Sequence, residues 1–242
     1  MRQDLQAFLA QARGSAAQSK LCTLDELSAR SSQLEPAGAR FSFEALRGRL
    51  LELSGAGATA VLSAAVALVL EAQLAAEPVA WVTLQDSCFY PPDVVDSGVD
   101  ISALAVVRVP DVVRAGRALE QLLRSGAFGL VVLDLGTPRS VIGSRAPRDA
   151  GDGHGMKEAR RLSVASQGRV AGLAQQYQCV AVCITEKKDD QESMGSLVSL
   201  RADAARERDD GAFFITLRAI KDKRHGPGWS QRVRAIGPAG LK

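Results

Sequence analysis

Short apolar runs alternate with longer amphipathic stretches along most of this chain, and this alternation constrains the fold more than any other feature. The apolar runs are about five residues long, and the stretches between them are long enough for helices of about three turns. Residues 130–133 and 180–184 are apolar without interruption, as in strands that are buried on both faces. The pattern predicts βαβ units, and therefore an α/β fold with a mostly parallel central sheet flanked by helices.

The boundaries of the predicted elements follow from the same periodicity. The predicted strands are Arg49–Leu53, Val79–Leu84, Ile101–Val109, Leu130–Leu133, Val180–Ile184 and Ala212–Ile220. The predicted helices of the core are Ala60–Ala75, Val113–Ser125 and Ser163–Tyr177. Residues 137–168 are polar and rich in Gly and Arg, without a clear period.

The chain is predicted to have three parts: a helical N-terminal arm (1–45), a core (46–220) and a basic C-terminal tail (221–242). One helix of the arm carries a narrow apolar stripe of Leu5, Phe8 and Leu9, and a second is predicted over Leu24–Leu34. Such a stripe is common on helices that dock into a partner's groove. Packing of the stripe on the chain's own core is the alternative.

Composition and cysteine usage exclude several classes. Apolar residues make up 46% and charged residues 24% of the 242 residues, a normal globular balance. Met1–Arg13 has no apolar signal-peptide core, and the longest apolar stretch, Ala56–Leu70, is broken and short for a membrane span. The four cysteines form no CxxC pair. We therefore expect a cytoplasmic protein with reduced thiols, without a membrane segment and without a metal.

A Gly-rich turn, Gly55-Ala56-Gly57-Ala58-Thr59, joins the first predicted strand to the first core helix. Strand, Gly-rich turn and helix form the frame of a phosphate-binding loop, which reads G-x-x-x-x-G-K-[ST] when it works. This turn is shorter, and Ala58 stands where the lysine belongs. The loop has lost its strongest phosphate contact, so we expect no bound nucleotide or other cofactor. A tight turn without any ligand is the plain structural interpretation.

An ordered series of segments over residues 47–225 resembles the RecA/RadA recombinases. The matching segments are Gly48–Leu53 before the phosphate loop, Gly57-Ala58-Thr59 for Gly-Lys-Thr, Gly98–Ile101 with Leu104, Leu130–Asp134 for the Walker B strand, and Lys221-Asp222-Lys223 for a Lys-x-Lys near the C-terminus. The resemblance implies a RecA-like sheet. It also favours a β-hairpin over 197–208 and Ala212–Ile220, turning at 209–211, where propensity alone favours a helix through 202–208.

The resemblance also assigns places to two acidic residues. Asp86 stands where the family has a catalytic Glu, and Asp134 where an aspartate supports Mg²⁺. Without the loop lysine, these two residues are interpreted as structural relics, and Asp134 as a cap of the turn after its strand. The chain is accordingly expected not to be an enzyme.

Among RecA-like proteins without the lysine, the chain resembles the ImuA family of bacterial DNA-damage mutagenesis cassettes. The resemblance implies a non-enzymatic adaptor in SOS-induced error-prone translesion synthesis. Its partners would be RecA, the polymerase-like subunit ImuB and, indirectly, an error-prone DnaE-type polymerase. Two alternatives remain open: a divergent ATPase or DNA-binding protein that uses Asp86 and Asp134, and an inhibitor of a filament-forming partner, similar to SulA.

Positive charge is concentrated in two segments of a chain whose formal net charge is only +3. Residues 138–169 carry seven Lys/Arg against three Asp/Glu, and residues 219–242 carry six against one. The candidate phosphate contacts for weak DNA binding are Arg139, Arg145, Arg148, Arg160, Arg161 and Arg169. The candidate partner-binding residues of the tail are Lys221, Lys223, Arg224, Trp229, Arg232 and Arg234, expected on one positive face. The alternatives are a solvated loop and a Trp229 that covers the edge of the sheet.

Overall fold

The computed structural model describes residues 39–56, 59–87, 89, 94–136, 161–209 and 212–235. The fold is α/β, with a mostly parallel eight-stranded sheet flanked by helices, as predicted, and it is consistent with a RecA-like fold. The arm helices predicted around Leu5 and over Leu24–Leu34 lie outside the described residues. No helix in the described part is long and apolar enough to cross a membrane.

The sheet has the strand order β3-β2-β4-β5-β1-β6-β7-β8. The strands are β1 (Leu50–Gly55), β2 (Val79–Leu84), β3 (Leu104–Val109), β4 (Leu130–Asp134), β5 (Val180–Glu186), β6 (Leu200–Asp209), β7 (Ala212–Asp222) and β8 (Ser230–Ala235). The helices are α1 (Phe43–Leu46), α2 (Val61–Leu74), α3 (Val112–Arg124) and α4 (Val164–Tyr177). A 3₁₀ turn, Ile101–Ala103, replaces the first residues of the third predicted strand, because Asp100 caps that turn by accepting the N–H of Ser102.

Strands β1 to β6 run parallel, and β6, β7 and β8 form an antiparallel meander at one end of the sheet. The predicted hairpin is confirmed, since Asp203 pairs with Arg218 and Asp209 with Ala212 across β6 and β7. The segment forms a strand despite its helix propensity, because Ala202 and Ala204 lie on the same face of β6 and are both buried against the core.

Two apolar layers hold the sheet, one on each face. On one face α2 packs against Leu51 and Leu53 of β1, and on the other α3 and α4 cover Leu50 and the alternate residues of β2, β4 and β5. The continuous apolar runs predicted the central strands because β2 and β4 are buried along their whole length.

The packed core extends beyond both of its predicted boundaries. Phe41 and Phe43, assigned from sequence to the N-terminal arm, are buried in the layer that contains α2. At the C-terminal boundary, β7 continues to Asp222, and all of β8 lies within the segment that was assigned to a basic tail. The predicted boundaries at 45 and 220 therefore fall inside the packed domain.

Candidate functional site

The junction between β1 and α2, where a degenerate phosphate loop without a bound nucleotide was predicted, is closed by contacts with β6. The Thr59 hydroxyl and the Ala60 N–H both donate to the backbone carbonyl of Ala204, each at 2.8 Å. The same hydroxyl oxygen accepts the N–H of Val61 at 3.2 Å. Thus the amides of Ala60 and Val61 at the start of α2, where a working loop would face a phosphate, are bonded within the protein. Gly57 and Ala58 lie outside the described residues.

Gly55 makes this closure sterically possible. A Cβ atom at Gly55 would lie 2.4 Å from the Thr59 hydroxyl oxygen, a distance that no real contact tolerates. The strand β1 pairs with β6 only as far as Ala202, so the Ala204 carbonyl is available to the turn. The glycine and threonine retained from the loop pattern thus pack against each other.

Asp134, the residue matched to the Walker B aspartate, is buried and bonded at the end of β4. Its Oδ2 accepts the Ser87 hydroxyl at 2.8 Å, and its Oδ1 accepts the Gly136 N–H at 2.9 Å. It therefore ties the turn after β2 to the turn after β4. Asp86 is exposed in the turn after β2.

A buried carboxylate, Glu52, lies in the middle of β1 and was not predicted from the sequence as a site residue. Its Oε1 accepts the Lys187 ammonium at 2.7 Å and the Thr185 hydroxyl at 2.9 Å. Its Oε2 accepts the Met194 N–H at 2.6 Å and the Ser193 hydroxyl at 2.9 Å. Burial alone would raise the pKa of Glu52, but the bonds from Lys187 and Met194 hold it below its usual value. The signal in the sequence was a lone acid inside an apolar strand.

A second buried charge, Arg201 of β6, holds the same segment of chain. Its Nε donates to the Ser54 hydroxyl at 2.8 Å, and its Nη2 donates to the carbonyl of Lys188 at 2.7 Å. A third bond reaches the carbonyl of Gln191. Together, Glu52 and Arg201 fix residues 187–195, which we name the β5–β6 loop, against the face of the sheet.

Asp222 is the hub of a third polar cluster, at the end of β7. The carboxylate accepts bonds from the Arg49 guanidinium (2.6 Å), the Trp229 indole (3.0 Å) and the Arg224 N–H (2.9 Å) and lies 3.1 Å from the His225 ring. Burial would raise the pKa of Asp222, but these donors hold it well below its usual value. Trp229 also packs on the core, so it covers the sheet, the alternative stated above for this residue.

The basic residues of the predicted tail do not lie on one face. Lys221 donates to the carbonyl of Gly195 at 3.0 Å, and Arg224 donates to that of Ala45 at 3.3 Å. Arg232 stands on the face of β8 opposite Gln231, which bonds the Phe41 backbone on the core side. The prediction of a single positive face centred on Trp229 is thus wrong, because Trp229 packs on the layer that contains α2 whereas Arg232 stands on the opposite face of the sheet. Lys223 and Arg234 are exposed.

Two of the arginines predicted to contact DNA are described, and both are bonded within the protein. Arg161, the first residue of the described range 161–209, donates to the carbonyl of Met194 at 2.7 Å and so contacts the β5–β6 loop. Arg169 makes two bonds of 2.8 and 3.0 Å to the Glu120 carboxylate on α3. Arg139, Arg145, Arg148 and Arg160 lie outside the described residues, as do Leu5, Phe8 and Leu9.

The remaining titratable groups of the described residues include two buried thiols. Cys179 and Cys183 are buried, and burial raises the pKa of the Cys179 thiol to about 12. Among the described residues, no group of His, Cys, Asp and Glu could hold a metal ion.

No protein-family model matches the chain. No curated protein matches it either.

Proposed function

We propose that this protein is a RecA-like, non-enzymatic adaptor that binds protein partners in SOS-induced error-prone translesion synthesis. The partners proposed from its resemblance to the ImuA family are RecA and ImuB, with an error-prone DnaE-type polymerase contacted indirectly through ImuB. The proposal places the protein in the cytoplasm, where these partners act.

The observation that carries the non-enzymatic part is the closed junction between β1 and α2. The Thr59 hydroxyl and the Ala60 N–H both donate to the Ala204 carbonyl. A nucleotide at this place would have to break both bonds, and Ala58 has no positive charge whose attraction to the phosphates would offset their loss. The residue matched to the Mg²⁺-supporting aspartate, Asp134, has both carboxylate oxygens bonded to protein groups.

A divergent ATPase needs Asp134 to be available to a metal, so its bonds to Ser87 and Gly136 argue against that alternative. A SulA-like inhibitor would use the same fold without nucleotide chemistry. It differs from the adaptor in its outcome on the partner, because an inhibitor disassembles a filament while an adaptor remains bound to it.

Nucleotide binding is tested by thermal unfolding with and without Mg·ATP. We expect no rise in the melting temperature. A rise that Asp134→Ala abolishes would reject the non-enzymatic assignment.

Partner binding is tested by surface plasmon resonance with purified RecA and purified ImuB on the full chain. Saturable binding of both supports the adaptor, and binding of neither overturns it. If RecA filaments disassemble on addition of the protein, as followed by light scattering, the inhibitor replaces the adaptor.

A further inference from the structure

The two faces of the outer half of the β6–β7–β8 meander differ in how their arginines pair with carboxylates. We name as the inner face the one continuous with the α2 layer, and as the outer face the opposite one. On the outer face Arg218 pairs with Asp203 at 2.8 Å and also contacts Asp189. Arg232 pairs there with Asp209 at 2.9 Å and with Glu207 at 3.5 Å. The outer face therefore pairs the charges of Arg218 and Arg232 with its own acids, while Arg234, on the same face, has no carboxylate partner among the described residues.

The inner face carries two arginines without such partners. Arg206 and Arg208 are exposed at the far end of β6, and neither has a carboxylate partner within the described part of the chain. The acids nearest in sequence, Glu207 and Asp209, point to the outer face and are held by Arg232. Within the described part of the chain, no carboxylate compensates the charge of these two arginines.

Between these arginines and the edge of the sheet lies a half-buried apolar strip. The register places Arg206 beside Ile215 of β7 and Val233 of β8, and Arg208 beside Phe213. The next row inward, Ala204 and Leu217, is buried. The strip therefore continues the core layer outward, and the described residues cover it only in part.

We infer that this inner face, formed by Arg206, Arg208, Phe213, Ile215 and Val233, docks a protein segment that presents carboxylates beside aliphatic side chains. The inference rests on the proposed protein-binding function and adds the surface and the chemistry of the partner. Carboxylates would meet the two arginines, and aliphatic side chains would cover the strip.

The composition of the face favours protein over nucleic acid. Two of its three apolar side chains, Ile215 and Val233, are aliphatic and give no platform for stacking a base. The ring of Phe213 already has the Arg208 guanidinium 5.6 Å from its centre. Two cations are also few for a backbone of phosphates.

The test uses the full chain with both charges reversed, Arg206→Glu with Arg208→Glu. The matched control is Arg117→Glu with Arg124→Glu, which makes the same charge change at exposed positions of α3. A milder pair, Arg206→Gln with Arg208→Gln, keeps the test valid if reversal disturbs the hairpin. Binding to immobilised RecA and ImuB is measured at low and at physiological salt.

We expect the reversed pair to weaken binding to one of the two proteins by about tenfold or more, with the neutral pair between it and wild type. The control should stay within about twofold, and the affinity of wild type should fall with salt more steeply than that of the reversed pair.

Equal binding by the reversed pair and the control overturns the inference but leaves the proposed function standing. If wild type binds neither protein, both fail together. If protein binding is unchanged while retention on oligo(dT) is lost, the face contacts nucleic acid instead. If the reversed pair alters only self-association in sedimentation, or only the unfolding temperature, the face is covered by a second copy or by another part of this chain, and the inference is overturned.

Discussion

The centre of β1 and the turn that follows the strand hold polar groups in opposite ways. In the centre of the strand, Glu52 is a fully buried charge that accepts four bonds, one of them from a lysine. In the turn after the strand, Thr59 and Ala60 are neutral and share one backbone carbonyl. In a nucleotide-binding loop, a positive charge would lie in this turn. Here the buried charge is the Glu52 carboxylate inside the sheet, which pairs with Lys187 and holds the β5–β6 loop.

This contrast shows which polar groups the fold depends on. A buried charge that loses its partner leaves another charge or amide unsatisfied, which is far more costly than losing a neutral bond. Removing the charge at the centre of β1 should therefore destabilise the protein strongly, and removing the neutral Thr59 hydroxyl in the turn after the strand should destabilise it weakly.

The largest effect is expected for Glu52→Ala. The change strands the Lys187 ammonium, which is only 14% exposed, and the Met194 N–H beneath the loop. We expect the free energy of unfolding to fall by about 3–5 kcal/mol, as measured by urea denaturation.

The matched control is Glu192→Ala, which removes an exposed carboxylate from the same loop. Pairing Glu52→Gln with Lys187→Met in a double-mutant cycle isolates the ion pair from the bonds to Met194 and Ser193. If Glu52→Ala costs no more than Glu192→Ala, the buried cluster does not hold the loop.

Asp222 gives an intermediate effect that depends on pH. Its pKa is lower in the folded protein than in the unfolded chain, because Arg224, Trp229 and Arg49 bond the charged form. Its stabilisation is therefore complete above the unfolded pKa of about 4 and is lost as pH falls toward the folded value.

We expect Asp222→Asn to cost about 2–3 kcal/mol at neutral pH and to cost progressively less below about pH 4. Urea denaturation at a series of pH values measures both, with Asp96→Asn as the control at an exposed position. A cost that stays constant down to low pH would show that Asp222 acts through its shape and not through its charge.

Sequence patterns predicted the parts of the fold that depend on continuous burial. Strands β2, β4 and β5 were found because every residue or nearly every residue faces a packed layer. Strand β8 was missed, since its sequence has arginines and glutamine where a buried strand would be apolar. The alternation of Gln231 and Val233 with Arg232 and Arg234 was the available signal.

The polar clusters could not be predicted in the same way. Glu52 bonds to Met194 and Arg49 bonds to Asp222, and the residues of each pair are more than 140 positions apart in sequence. No local sequence pattern therefore indicates these contacts. The loss of the loop lysine was readable at Ala58, but the closure of the junction depends on where β6 leaves β1, which only the register specifies. Whether a charged residue within a strand is buried can be predicted only when the sheet topology is known.

The smallest effect is expected for Thr59→Val, which removes the hydroxyl and keeps the shape. The Ala204 carbonyl retains the Ala60 N–H, so one bond remains, and the loss falls on the Val61 N–H. We expect a cost of about 1 kcal/mol by urea denaturation. Thr216→Val makes the same chemical change at a buried hydroxyl that has no hydrogen-bond partner among the described residues, and it should be neutral or slightly stabilising. If the two variants are equally stable, the Thr59 hydroxyl does not close the junction. A cost as large as that of Glu52→Ala would instead remove the contrast between the centre of β1 and the turn after it, because a neutral bond would then matter as much as a buried charge.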